Sequence, residues 1–132
     1  MVTKNLENEI VVLYDRLHEL YVNYIRFQDV CPTNECTENI EKVYKVMDSV
    51  NDCMLHIAFG GMGTADFLDT VNLNDLYTAV FYIASEVQNV VIEGPDSHEV
   101  IELQSKIHDN VNAIYVAIQD VMHIFVEVFI NN

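Results

Sequence analysis

The stretch SHEVIELQSKIHDNVNAIYVAIQDVMHIFVEVFI, Ser97 to Ile130, is the longest patterned run in the chain and decides how it folds. At about 100° per residue, Val100, Ile107, Val111, Ile114, Ile118, Val121, Met122, Phe125 and Phe129 fall within one arc, the pattern of a helix that buries one face. No glycine or proline interrupts it. Just upstream, Asp96 and Glu99 have the spacing of a capping pair, with Asp96 accepting from the first-turn backbone and Glu99 reaching back. A stripe this long cannot be hidden by the helix that carries it, so the rest of the chain must supply partners.

Three further segments do so. Apolar recurrence at three and four residues predicts helices over about 5–28, 37–59 and 72–91, ahead of the fourth over 97–130. Leu6, Ile10, Leu13, Leu17, Leu20 and Tyr24 form the core stripe of the first. Val43, Val46, Met47, Val50, Cys53, Met54 and Ile57 form that of the second, and Leu76, Ala79, Val80, Ile83, Val87 and Val90 that of the third. Pro32 and the polar run Thr33–Cys36 separate the first two helices, GGMG at 60–63 stops the second, and EGPDS at 93–97 closes the third. A short helical turn is expected around ADFLD, 65–69. Connections of about eight to twelve residues let consecutive helices run antiparallel. The predicted fold is all-α, a four-helix up-down bundle forming a single domain over 1–132, and 51% hydrophobic content is enough for its core.

An internal likeness bears on the origin of the bundle. At an offset of 61 residues, ENIEKVYKVMDSVN (38–51) lines up with EVIELQSKIHDNVN (99–112), sharing Glu, Ile, Glu, Lys, Asp, Val and Asn at equivalent places. The second and fourth helices look like copies, while the first and third match only weakly, which suggests a duplicated helical hairpin.

Charge narrows the range of partners. Six Lys+Arg against 21 Asp+Glu give a net charge of -15, which repels nucleic acid and acidic membrane surfaces and favours basic proteins. The imbalance is concentrated: residues 62–132 hold 11 acids and Lys106 as their sole Lys or Arg. No secretory signal pattern and no apolar run of about 18 residues are present, and an odd count of three cysteines argues against a disulfide scaffold. The chain reads as a reduced, cytoplasmic protein that binds neither nucleic acid nor membrane directly.

Asp120, His123 and Glu127 stand at the three- and four-residue spacing of helical metal ligands, and Asp15 with His18 repeats the first half of that pattern. The helical wheel, however, turns both sets away from the core, whereas a metal centre in a bundle needs ligands projecting inward from facing helices. Cys31, Cys36, Cys53 and His56 also follow a zinc-like order, yet Cys36 and Cys53 lie about 25 Å apart along one helix at 1.5 Å per residue. Cys53 reads as a core thiol. There is no Gly-x-Ser-x-Gly elbow, no phosphate loop and no cysteine with a histidine base in reach, and GGMG reads as a chain stop. No metal or other cofactor is expected, and the chain reads as non-enzymatic.

Two surfaces remain. The outer faces carry acidic rows, Glu102, Asp109, Asp120 and Glu127 with His123 on the fourth helix and Glu41, Asp48 and Asp52 on the second, suited to steering a basic protein surface. An inhibitor or nucleic-acid mimic of viral or phage origin has this composition. Apolar residues also lie outside the core stripes: Val116, Ile124, Val126, Val128 and Ile130 on the fourth helix, and Val11, Val22 and Ile25 on the first. Self-association into a homodimer or higher oligomer would cover them. The alternative function is an oligomeric bundle that binds a small molecule or metal between subunits. The seven tyrosines, among them Tyr14, Tyr21, Tyr44, Tyr77 and Tyr115, fall mostly at core boundaries.

Overall fold

The computed structural model describes the backbone of residues 2–30, 37–58, 71–90 and 97–130, and the side chains of 7–30, 38–55, 71–90 and 97–124. The described residues form four helices, α1 (Val2–Val30), α2 (Thr37–Ala58), α3 (Leu73–Gln88) and α4 (Ser97–Ile130), with no strand among them. Each helix packs on its neighbours in sequence, and α1 packs most extensively on α4, which closes the ring. Tyr77 meets Tyr115 at one end of α3 and Gln88 meets His108 at the other, so α3 and α4 run in opposite directions. This is the four-helix bundle expected from the apolar spacing. In such a ring α2 and α4 stand diagonally opposite, as do α1 and α3.

The core follows the stripes. Ile10, Leu13, Leu17, Leu20 and Tyr24 of α1 are buried, as are Val43, Met47, Val50 and Cys53 of α2. Phe27, Ile40, Leu73 and Leu103 extend the core beyond the residues expected from the wheel. Fully burying each large side chain contributes about 1.5–3 kcal/mol, so these stripes set the fold. One expectation on α4 is corrected. Met122 is 40% exposed, because Val121, one residue and about 100° away, takes the inward position. Ile124 is half-buried and packs on the core margin. Leu6, Ile57, Phe125 and Phe129, the glycine run, the 65–69 turn and the Asp96 cap lie outside the described side chains.

The shortest of the described helices, α3, is secured at both ends. Asn72 is extended (φ -86°, ψ 96°), and its side-chain oxygen accepts from the Asp75 N–H at 3.0 Å, satisfying a donor that the first turn leaves over. At the far end Gln104 of α4 donates its Nε2 to the carbonyls of Val87 at 2.8 Å and Val90 at 2.7 Å. A neighbouring helix thus adds a donor to carbonyls at the end of α3, where the Val87 carbonyl also accepts from the Val90 N–H at 3.4 Å.

The likeness between α2 and α4 resolves into two parts. At the 61-residue offset the shared polar residues agree in exposure: Glu41 with Glu102, Lys45 with Lys106 and Asp48 with Asp109 all face solvent. The core positions agree only in part: Val50 and Val111 are both buried, but Ile40 is 7% exposed and its counterpart Ile101 is 60% exposed. One residue earlier, Ile40, Val43, Met47 and Val50 correspond to Val100, Leu103, Ile107 and Asn110, all buried. The shared polar residues therefore describe an outer-face pattern, while Ile40, Val43 and Met47 find their buried counterparts one residue earlier.

Candidate functional site

Helix α4 has two distinct edges, identified by what each touches. On the α1 side Asn23 donates its Nδ2 to Asn110 Oδ1 at 2.7 Å, and Asn110 Nδ2 donates to Glu19 Oε2 at 3.3 Å. Asn110 is 9% exposed, so its amide needs these partners. Glu19 also lies 3.8 Å from Arg16 on the rim. On the α3 side Gln104 reaches the end of α3, His108 bonds Gln88 at 2.9 Å, and Tyr115 stacks on Tyr77 with ring centroids 4.5 Å apart.

Rotation by 100° per residue places the remaining exposed residues between these edges. Glu102, Asp109 and Asp120 fall on the α1 side of the outer face, and His123 and Val116 along its middle. Ile101, Asn112, Gln119 and Met122 fall on the α3 side. All of the acidic row described here is exposed, and Lys106 bridges to Glu102 at 3.3 Å across one helical turn. The Glu102–Asp109 and Asp109–Asp120 intervals are about 10 Å and about 16 Å at 1.5 Å per residue. Glu127 lies outside the described side chains.

On α2, Glu41, Asp48 and Asp52 are likewise exposed, with Lys45 set among them. Because α2 and α4 are diagonal, the two acidic rows look in opposite directions and do not merge into one surface. Each presents the same Glu-x-x-x-Lys-x-x-Asp pattern to solvent, residues 41–48 and 102–109.

The metal-like spacings do not converge. Among the described residues no three His, Cys, Asp or Glu side chains gather into a metal-binding group. Asp120 and His123 are exposed on α4, and His18 stacks against Tyr14 on α1 with centroids 6.5 Å apart. Cys31, Cys36 and His56 lie outside the described side chains. Cys53 is buried, and burial, followed by the nearby Asp52 charge, pushes its thiol above the ordinary range and keeps it protonated. Among the described residues no helix is long and apolar enough to cross a membrane.

Of the apolar residues expected at a subunit contact, Val11, Val22, Ile25 and Val116 are exposed, while Val126, Val128 and Ile130 lie outside the described side chains. Those on α1 share their face with Asp15, His18 and Asp29, and Val116 stands between Asn112 and Asp120. Among the described residues they do not make a continuous apolar band. A different patch lies on α3, where Phe81 and Tyr82, which apolar spacing does not single out, join the boundary residue Tyr77; they are 54%, 53% and 47% exposed. Phe81 and Tyr82 meet edge to face at 5.9 Å. Their positions about 100° and 200° from buried Val80 are the signal that would have found them.

Two depressions are lined by described residues. One, of about 280 Å³, lies between α1 and α2 and is lined by Tyr21, Ile40, Glu41, Tyr44 and Lys45, with the Tyr21 and Tyr44 rings 5.7 Å apart. The other, of about 180 Å³, lies where α2 meets the start of α3 and is lined by Lys42, Lys45, Val46, Ser49, Val71, Asn72 and Asp75. Neither described lining holds a histidine or cysteine. Compared with known family models, with characterised proteins and with solved structures, the chain shows no match.

Proposed function

We propose that this chain is a non-enzymatic, cytoplasmic interaction protein that docks a basic protein surface on its acidic helix faces. The observation that carries the reading is the exposed row Glu102, Asp109 and Asp120, in a half of the chain where Lys106 is the sole Lys or Arg. Such a row attracts a cationic partner over a distance of about one Debye length and orients it before contact. The shorter row on α2 offers a second, opposed position for the same kind of partner. Carboxylates about 10 to 16 Å apart suit separate lysine or arginine contacts. They are too sparse to reproduce a DNA strand, which presents a phosphate about every 3.4 Å of axis, so protein docking is favoured over nucleic-acid mimicry.

The test is affinity capture from extract of the native cells at low and high salt, followed by binding measurements on the captured protein. Wild type should hold a basic protein that is released as salt rises, Asp109→Lys with Asp120→Lys should weaken capture, and adding Asp48→Lys with Asp52→Lys should abolish it. Capture that survives both high salt and charge reversal on α2 and α4 would sink the proposal.

A further inference from the structure

The depression of about 280 Å³ between α1 and α2 brings three kinds of contact into one place. Buried Ile40 is its apolar floor. Half-buried Tyr21 and exposed Tyr44 supply two rings, with centroids 5.7 Å apart and planes tilted by 46°, that touch each other and line the opening. Glu41 and Lys45, one helical turn apart and both exposed, add a carboxylate and an ammonium at the rim.

Helix α4 provides the comparison that gives this arrangement meaning. Its Glu102 and Lys106 keep the same four-residue interval and close on each other at 3.3 Å, with Ser105 in the place that Tyr44 takes on α2. Among the described residues the ion pairs are that one and Arg16–Glu19, so Glu41 and Lys45 stand open. Both intervals have the favourable order, Glu ahead of Lys, so helix geometry does not separate them. What differs is the aromatic wall beside the acid and base of α2.

We propose that this depression binds a small zwitterion with an aromatic group, of the chemical class of an aromatic α-amino acid. The ligand's ammonium meets Glu41, its carboxylate meets Lys45, and its ring lies against Tyr21 and Tyr44. Charge selects this class over simpler ones. An anion is repelled by Glu41 and by the net charge of -15, and a cation leaves Lys45 unmatched. A neutral ring displaces water from both charged groups and compensates neither. A zwitterion matches both and brings no net charge of its own. Contact with two tyrosine rings rewards an aromatic group over an aliphatic one. The volume is just under the roughly 300–1,000 Å³ of drug-sized pockets, which suits a compact ligand. This site lies within one chain and does not rest on the docking of a basic partner.

Titration calorimetry of the full chain with free L-phenylalanine tests the proposal, at neutral pH and about 0.15 M salt to screen unspecific attraction. Saturable binding is expected, with a Kd of about 1 mM or tighter. Phenethylamine, which lacks the carboxylate, phenylpropionate, which lacks the ammonium, and L-alanine, which lacks the ring, should each bind about threefold or more weakly. Glu41→Gln and Lys45→Gln should each lose affinity by a similar factor. Tyr44→Ala should lose it too, without unfolding the chain, because Tyr44 is 55% exposed. Lys106→Gln, in the closed pair on α4, should leave binding unchanged. No saturation by about 10 mM L-phenylalanine, equal affinity for phenethylamine or phenylpropionate, or binding that survives all three pocket variants overturns the proposal.

Discussion

The two seams that α4 makes with its neighbours are built from different materials. Against α1 it sets a nearly buried amide, Asn110, bonded to Asn23 and Glu19, beneath a rim of Arg16, Lys106 and exposed carboxylates. Against α3 it sets a stacked tyrosine pair and two hydrogen-bonding side chains, Gln104 and His108, with no carboxylate on the adjoining outer edge. One helix therefore separates polar specificity from aromatic contact along its length. Apolar packing fixes that both seams exist; hydrogen bonds fix the register of the first and ring contacts help fix that of the second.

Removing the packing shared by both seams should have the largest effect. Ile114 is 0% exposed, and Ile114→Ala should cost about 2–5 kcal/mol in urea unfolding, loosening both sides of α4. Next comes the polar seam alone. Asn110→Asp replaces a donor 3.3 Å from Glu19 by a like charge, and should cost about 1–3 kcal/mol at neutral pH. The loss should shrink on acidification as the added carboxyl protonates. An equal cost at both pH values would mean that the network contributes shape and not hydrogen bonding.

A smaller effect should probe the aromatic seam. Gln104→Leu leaves the Val87 and Val90 carbonyls without that donor and should cost about 1 kcal/mol, with faster hydrogen exchange confined to the end of α3. In the same seam, burial first and Tyr77 second hold the Tyr115 phenol above its ordinary range. A raised phenol contributes stability that is intact below about pH 10 and is lost as pH rises through the raised value. Absorbance titration should show Tyr115 ionising late, and Tyr77→Phe should bring it closer to normal. Least of all, Lys106→Ala removes an exposed one-turn ion pair and should change stability by less than about 0.5 kcal/mol.

The bundle was legible because burial repeats with the helical period, and Ile10, Leu13, Leu17 and Leu20 need no knowledge of their partners to be placed inside. Met122 shows the limit of that arithmetic. A wide arc admitted both it and Val121, although adjacent residues are about 100° apart and one position had to turn out. The exposure of Glu102, Asp109 and Asp120 was also legible. Their separation from the α2 row was not, because diagonal placement follows from how four helices close into a ring. Nor does spacing connect Asn23 to Asn110 across 87 residues. The aromatic face of α3 was within reach of the wheel, but Phe81 and Tyr82 are residues that a core also uses, and only their exposure distinguishes the two roles.

The reach of Gln104 across to α3 has a consequence for how the molecule comes apart. At 16 residues α3 is close to the length at which an isolated helix is marginal in water, so its persistence depends on its surroundings. With its final carbonyls held by a side chain from α4, its last turn is a cooperative property of two helices instead of a local one. The amides of Asn89 and Val90, which close that turn on Ser85 and Val87, then act as reporters on α4: their exchange with solvent times the separation of the helix pair, not the fraying of an end.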